Sequence, residues 1–328
     1  MGGLFVFEFL IGRRIVVYFR NFIVYREEGS IMSYSIGVII PTYNSGNIAT
    51  LLSAINNQSC NIDYKLIIDS SSTDNTVEIA KKYGWIVKSI RKESFGHGKT
   101  RKYACDLIKD NLDILIYLTQ DVEIKDKDCL RKILQYFNDE KVGAAYGRQL
   151  PKENASFEAK TLREFNYPSE SHVRKLDDAN KYGIKTAFLS DSFAAYRIEA
   201  LNKSGGFPNN TNISEDMYVG AKMLLSGYKI AYAADAVIYH SHNFTLKQYW
   251  MRYYEIGVFH SKEHWLLETL GKAEGEGIKL LLYQLKLSLI NRKPIDFIKV
   301  IIISAIKFIA YKKGFSDNEV IECCTSKK

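Results

Sequence analysis

The chain has 328 residues, 46% of them apolar and 25% charged, a composition that fills one or two cored domains and excludes an intrinsically disordered protein. Its formal net charge of +8 favours acidic partners, a class that takes in nucleotide phosphates, nucleic acid and anionic membrane faces alike. The five cysteines (Cys60, Cys105, Cys129, Cys323, Cys324) lack paired metal-ligand spacing and no cleavable signal pattern is visible, so a reducing, cytoplasmic setting is expected.

The opening segment "LFVFEFLIGRRIVVYFRNFIVY" is rich in aromatic and β-branched residues. Glu8, Arg13, Arg14 and Arg20 interrupt it before the roughly 20 apolar residues that a spanning helix needs. Two readings of residues 1–31 stay open: an interfacial anchor, or a segment upstream of a start at Met32. Either way they are set apart from the fold.

From Ser35 the pattern is regular. "SIGVIIP" (35–41) predicts a strand, and "NIATLLSAINNQ" (47–58) a helix with Ile48, Leu51, Leu52 and Ile55 on one side. The unit repeats: "YKLIIDS" (64–70) precedes "TDNTVEIAKKYG", which Thr73 or Asp74 can cap and Gly84 can end. "WIVKSI" (85–90) leads to a helix near 98–109, and "DILIYLT" (113–119) to one near 126–138. Apolar runs alternating with amphipathic helices predict parallel βαβ units, an α/β, Rossmann-like, mostly parallel sheet flanked by helices. In such sheets ligands bind outside the carboxyl ends of the strands. Three of those ends carry polar clusters: Pro41, Thr42, Tyr43 and Asn44; Asp69 to Asp74; and Gln120 with Asp121.

Two spaced motifs in order, "IGVIIPTYNSGNIATLLSAINNQ" and "LIIDSSSTDNT", resemble the opening of family 2 glycosyltransferases. The resemblance extends through "FGHGKTRKYA", "LTQDVE", "FLSDSFAAYRIEAL", "GGFP" and "ISEDMYVGAKMLLSGYKIAYAADAVIYHSH", about two thirds of the chain. F-x-H-G-x-T-R with T-Q-D and S-E-D-M looks like the bacterial rhamnosyltransferase branch, whose members move L-rhamnose from dTDP-rhamnose onto surface polysaccharides. The resemblance implies a GT-A fold, inversion at the sugar carbon, a divalent metal (Mg²⁺ or Mn²⁺), a saccharide or lipid-linked acceptor, and no nucleic acid.

Such a site must hold a base, neutralise a departing diphosphate and deprotonate an acceptor hydroxyl. Asp69 can accept the N3–H of thymine or uracil, framed by Thr42, Tyr43 and Ser71; the alternative is a loop carboxylate bonded to backbone N–H groups. Asn44 belongs to the same frame or caps the following helix. His97, Lys99 and Arg101 bring basic groups to the phosphates at a helix start. Asp121 is the metal candidate; the family's D-x-D stands here as Thr119-Gln120-Asp121, without its first carboxylate. His240 matches a family histidine and can add a ligand, with His242 behind it; a plain surface histidine pair is the alternative. Glu215 and Asp216 match the family's acid pair, Asp216 as catalytic base, against the alternative of a helix-dipole complement. Asp191 is expected to line the same cleft, against donor sugar or acceptor.

After residue 245, "LKQYWMRYYEIGVFHSKEHWLLETL" and two lysine-bearing segments split by Pro294 predict amphipathic helices, so that 32–245 forms the catalytic domain and 246–328 a helical extension. That extension is expected either to lie on the inner membrane face or to pack on the catalytic domain or a second subunit. Three further functions compete. A UDP-hexose transferase needs the same site. A nucleotidyltransferase needs a Gly-rich phosphate loop that "IPTYNSG" lacks. A non-catalytic nucleotide-sugar-binding protein is favoured by the missing carboxylate and opposed by intact Asp121, Glu215 and Asp216.

Overall fold

The computed structural model describes the backbone of residues 8–11, 14–19, 22–27, 34–108, 112–271 and 274–325, and side chains of 34–108, 112–271 and 275–318. The chain divides into two compact units, Met1–Ser33 and Tyr34–Lys328. In the first, β1 (Glu8–Ile11), β2 (Arg14–Phe19) and β3 (Phe22–Glu27) form an antiparallel meander. The anchor reading of residues 1–31 turns on side chains outside the described residues.

In the second unit β4 (Ile36–Thr42), α1 (Ile48–Asn56), β5 (Tyr64–Asp69), α2 (Thr76–Lys82), β6 (Ile86–Ser89), α3 (His97–Ile108) and β7 (Ile114–Leu118) alternate as the periodicity predicts. There follow α4 (Cys129–Leu134), β8 (Val142–Leu150), α5 (Phe157–Asn166), β9 (His172–Arg174), α6 (Ala179–Tyr182) and β10 (Phe193–Arg197). Then come α7 (Ile198–Lys203), α8 (Glu215–Leu225), β11 (Lys229–Tyr239), α9 (Leu246–Lys262), α10 (Trp265–Leu270), α11 (Glu274–Ile290) and α12 (Pro294–Thr325). Pro294 opens α12 at the first helical position, where its missing N–H loses no bond.

The eight strands of this unit form one sheet in the order β6-β5-β4-β7-β10-β8-β11-β9. The pairings make β4, β5, β6, β7, β8 and β11 run one way, with β10 and β9 against them. The central strands are buried on both faces because helices cover both. Ile39, Leu66 and Tyr117 enter one apolar cluster; Val38, Ile40, Ile67 and Ile116 enter the other, as the two-residue period of a strand demands. Hence the carboxyl ends of β4, β5, β7, β8 and β11 emerge on one edge, together with the amino end of β10.

C-terminal to the sheet, α9 packs against α12. The crossing is close: a Cβ on Gly257 would lie 2.1 Å from the Tyr311 carbonyl oxygen, and one on Gly314 only 2.0 Å from that of Tyr254. No described helix is long and apolar enough to cross a membrane.

Candidate active site

The first two strand ends are knotted together. Asp69 is 1% exposed and accepts from Thr42 Oγ1 (3.0 Å), the Ser72 N–H (2.9 Å) and Ser72 Oγ (2.5 Å). A carboxylate has about four acceptor positions, so one is left. Asn44 does not cap α1, whose N-cap is Asn47; its Oδ1 accepts from the Thr73 N–H at 2.8 Å. Asn44 and Ser71 hold φ of 45° and 60°, left-handed values that non-glycine residues keep only where the surroundings enforce them. Gln120 joins this frame to β7: its Oε1 accepts from the Tyr43 N–H (2.8 Å) and its Nε2 donates to the Tyr43 carbonyl (3.1 Å). Tyr43 is exposed, and its hydroxyl accepts from Lys92 Nζ at 2.7 Å.

Beyond Gln120 the edge opens into a cavity of about 790 Å³. Asp121 lies on its wall and is brought to the end of β11 by a bridge between Glu123 and Tyr239, with reciprocal backbone bonds of 3.0 and 2.9 Å. Asp121 Oδ2 therefore sits 3.2 Å from His240 Nε2 and 3.5 Å from His242 Nε2. One ligand atom from each of the three lies within 4.8 Å of the others. Gln149, at the end of β8 and 1% exposed, donates to Ser190 Oγ (2.8 Å), so its Oε1 faces His240 Nδ1 (2.9 Å) as an acceptor. That contact puts the His240 proton on Nδ1 and turns the Nε2 lone pair toward Asp121. Nε2 is buried and has no hydrogen-bond partner of acceptable geometry. A lone pair facing a carboxylate is what a divalent cation resolves, so the donor set of one carboxylate and two imidazoles fits such an ion. Burial would raise the Asp121 pKa, but His240 and His242 hold it below the usual carboxylate range. Burial lowers His240, and burial with His240 nearby lowers His242 to about 4, so both rings are neutral near pH 7 and able to ligate.

The opposite wall holds the acids. Arg101, 3% exposed, reaches Asp191 Oδ2 with Nε and Glu215 Oε1 with Nη1, both at 2.7 Å. Asp191 also accepts from the Tyr196 hydroxyl at 2.5 Å. Asp216, next in line, has no contact with Arg101; its Oδ1 accepts from the Met217 N–H (2.8 Å), and the side chain faces the cavity. Ser214, just before the pair, has φ of 60°. One guanidinium thus pairs with two of the three carboxyls and reaches Asp216 only through its charge. Burial raises Asp216 to about 6, reinforced by the charge of Glu215. Burial likewise raises Asp191 and Glu215, with Arg101 opposing the rise in both.

Two expectations need correction here. Arg101 lines the cavity, but its Nε and Nη1 are engaged by the acid cluster rather than left free for phosphate, because two buried carboxylates would otherwise stand unpaired. Lys99 is exposed and is not part of the cavity wall. His97 does line the cavity, lowered to about 4 by burial and by Arg101, hence neutral. The cations that sequence reasoning missed are Arg163 of α5, whose Nε donates to the His240 carbonyl at 2.7 Å, and Arg252 of α9, both on the cavity wall.

A mostly parallel sheet with a carboxylate cluster and an Asp–His–His set gathered at its carboxyl edge is the arrangement of a GT-A glycosyltransferase. Residues 37–205 match the model of glycosyl transferase family 2, and residues 123–291 that of glycosyl transferase family group 2. The chain is 40% identical to the O-antigen chain rhamnosyltransferase RfbN of Salmonella typhimurium over 85% of its own length and 89% of the relative's. It is 39% identical to the O-antigen chain rhamnosyltransferase WbaN of Salmonella anatum, with the same coverage. In fold it is similar to the mannosyltransferase PcManGT from Pyrobaculum calidifontis in complex with GDP-Man and Mn²⁺ (TM-score 0.60, 17% identity, 87% of this chain and 88% of that one). The chain belongs to glycosyltransferase family 2.

Proposed function

We propose that this enzyme transfers L-rhamnose from dTDP-rhamnose to a hydroxyl of a saccharide or lipid-linked acceptor during surface polysaccharide assembly. What supports the reading is that a carboxylate raised to about 6 and the Asp121–His240–His242 set open into one cavity, on a chain 40% identical to an O-antigen chain rhamnosyltransferase. Asp216 takes the proton of the acceptor hydroxyl as its oxygen attacks the anomeric carbon. The bond from that carbon to the diphosphate oxygen breaks, and the nucleoside diphosphate leaves from the opposite face, inverting the centre. Asp121, His240 and His242 would hold Mg²⁺ or Mn²⁺, which when bound supplies positive charge against the departing diphosphate. Arg163 and Arg252 add fixed positive charge on the same wall. Burial, with the charge of Glu215 beside it, holds Asp216 near neutral pKa, while Arg101 pairs Asp191 and Glu215. Asp69 and the Thr42–Asn44 frame offer the remaining acceptor position for the N3–H of the base.

The test is transfer from dTDP-rhamnose compared with a panel of UDP-sugars to an O-antigen-type oligosaccharide, with Mn²⁺ and with chelator. Turnover selective for dTDP-rhamnose is expected. Turnover with a UDP-hexose alone would replace the donor assignment, and nucleotide binding without turnover on any donor would make the chain a binding protein.

A further inference from the structure

Between residues 275 and 318 the last two helices bury some polar residues and expose an apolar set. Several of their polar residues face the protein: Gln284 Nε2 donates to Thr161 Oγ1 (2.7 Å), Asn318 Nδ2 to Ser261 Oγ (3.3 Å), and Lys307 lies over the Tyr249 and Tyr253 rings at 4.7 and 5.2 Å. Val300, Ile303 and Ala310 pack inward, but a second set of apolar residues faces outward. Ile278, Leu282 and Leu289 on α11, and Ile295, Ile298 and Ile302 on α12, are between 46% and 68% exposed. These spacings put each set on one side of its helix. Contiguous apolar surface of this kind marks a place where water is displaced by something else.

Charge identifies what displaces it. The stretch 275–318 carries eight Lys or Arg against three Asp or Glu. Each of the three acids already contacts a lysine: Glu276 and Asp317 one of their own helix, and Asp296 Lys293, just before α12. Lys286, Arg292 and Lys299 add to the positive rim around the apolar face. At the turn between the helices, a cleft of about 540 Å³ is walled by Leu289, Phe297 and Ile298 and flanked by Arg292 and Lys293. A two-fold contact with a second copy would press this rim against itself, whereas anionic headgroups neutralise it. We propose that the outward face of α11 and α12 lies in the plane of an anionic bilayer, the apolar side chains in the acyl boundary and the lysines at the phosphates. The inference stands whichever sugar is transferred. It puts the cavity one helix from the lipid, since α9 both lines the cavity with Tyr249 and Arg252 and packs against α12.

The test is flotation of the full chain with phosphatidylcholine vesicles, with and without about a third phosphatidylglycerol. The wild type is expected to float with the anionic vesicles, and less so as salt rises. Replacing Lys286 and Lys299 by Gln should weaken partitioning about 30-fold, at roughly fivefold per lysine. Ile298→Glu with Ile302→Glu should abolish flotation at an unchanged melting temperature; should that pair fail to fold, the exposed lysine pair carries the test alone. Three results would overturn the proposal. One is a wild type that stays with the pellet fraction, another is variants that float like it. The third is light scattering that finds a dimer dissolved by the isoleucine pair without vesicle binding, which would give the face to a second copy.

Discussion

Arg101→Met separates the two roles that a buried arginine could have at this site. The side chain is 3% exposed and holds Asp191 and Glu215, each at 2.7 Å. Removing it leaves two buried carboxylates without their counter-charge, a loss of about 3–5 kcal/mol for a broken buried pair, or roughly 10 °C in melting temperature for a domain of this size. The pH dependence has a definite sign. Burial already raises Asp191 and Glu215 against the pull of Arg101, so without it their folded pKa values rise further above the unfolded ones. The folded variant then binds more protons than the unfolded chain, and stability falls as pH rises. The deficit should be greatest near about pH 8 and shrink toward about pH 5, where the carboxyls are protonated. Thermal melts of both proteins at the two pH values read this directly. A variant that melts with the wild type at high pH while losing donor affinity would refute the reasoning and return Arg101 to the phosphates.

Asp216→Asn should lower kcat by about 10³-fold while donor affinity by calorimetry stays within about twofold; normal turnover removes it as the base. Because Asp216 acts ionised and is raised to about 6, wild-type kcat/KM should climb with pH through that value and level off above it, and a flat profile across it would exclude a titrating base. Gln149→Leu frees the His240 ring from its 2.9 Å contact and should weaken Mn²⁺ binding about 10- to 100-fold, measured by calorimetry without donor. Unchanged affinity would show that Gln149 does not orient the ligand. Gly314→Ala places a Cβ 2.0 Å from the Tyr254 carbonyl oxygen, a clash between backbones that should destabilise by about 3 kcal/mol; a wild-type melt would mean that α9 and α12 separate freely.

Much of this site is written in short stretches because strand ends carry their own chemistry. Thr42, Asp69 and Asp121 each close an apolar run, and a parallel sheet delivers all such ends to one edge whatever the order of its strands. His240 and Glu215–Asp216 are legible for the same reason, as polar residues that interrupt a strand or open a helix. Side-chain alternation has no sense of direction, and so β10, with the same apolar run as its neighbours, gives no sign that it runs against β7 and β8. Its reversal is what brings Asp191, at its amino end, to the edge where the others end. Charge type is also silent about partner: Arg101 follows a glycine pair at a helix start, the setting of a phosphate ligand, yet its partners stand 90 and 114 positions further along the chain at Asp191 and Glu215. Gln149 left a faint mark, a glutamine beside Arg148 near the end of the mostly apolar strand "VGAAYGRQL", since a buried amide demands partners on both of its ends. Its partners, Ser190 and His240, come from two other strand ends. A residue whose task is to orient another is recognisable only once both are placed, and for Gln149 that makes metal affinity the informative measurement and sequence pattern the weak one.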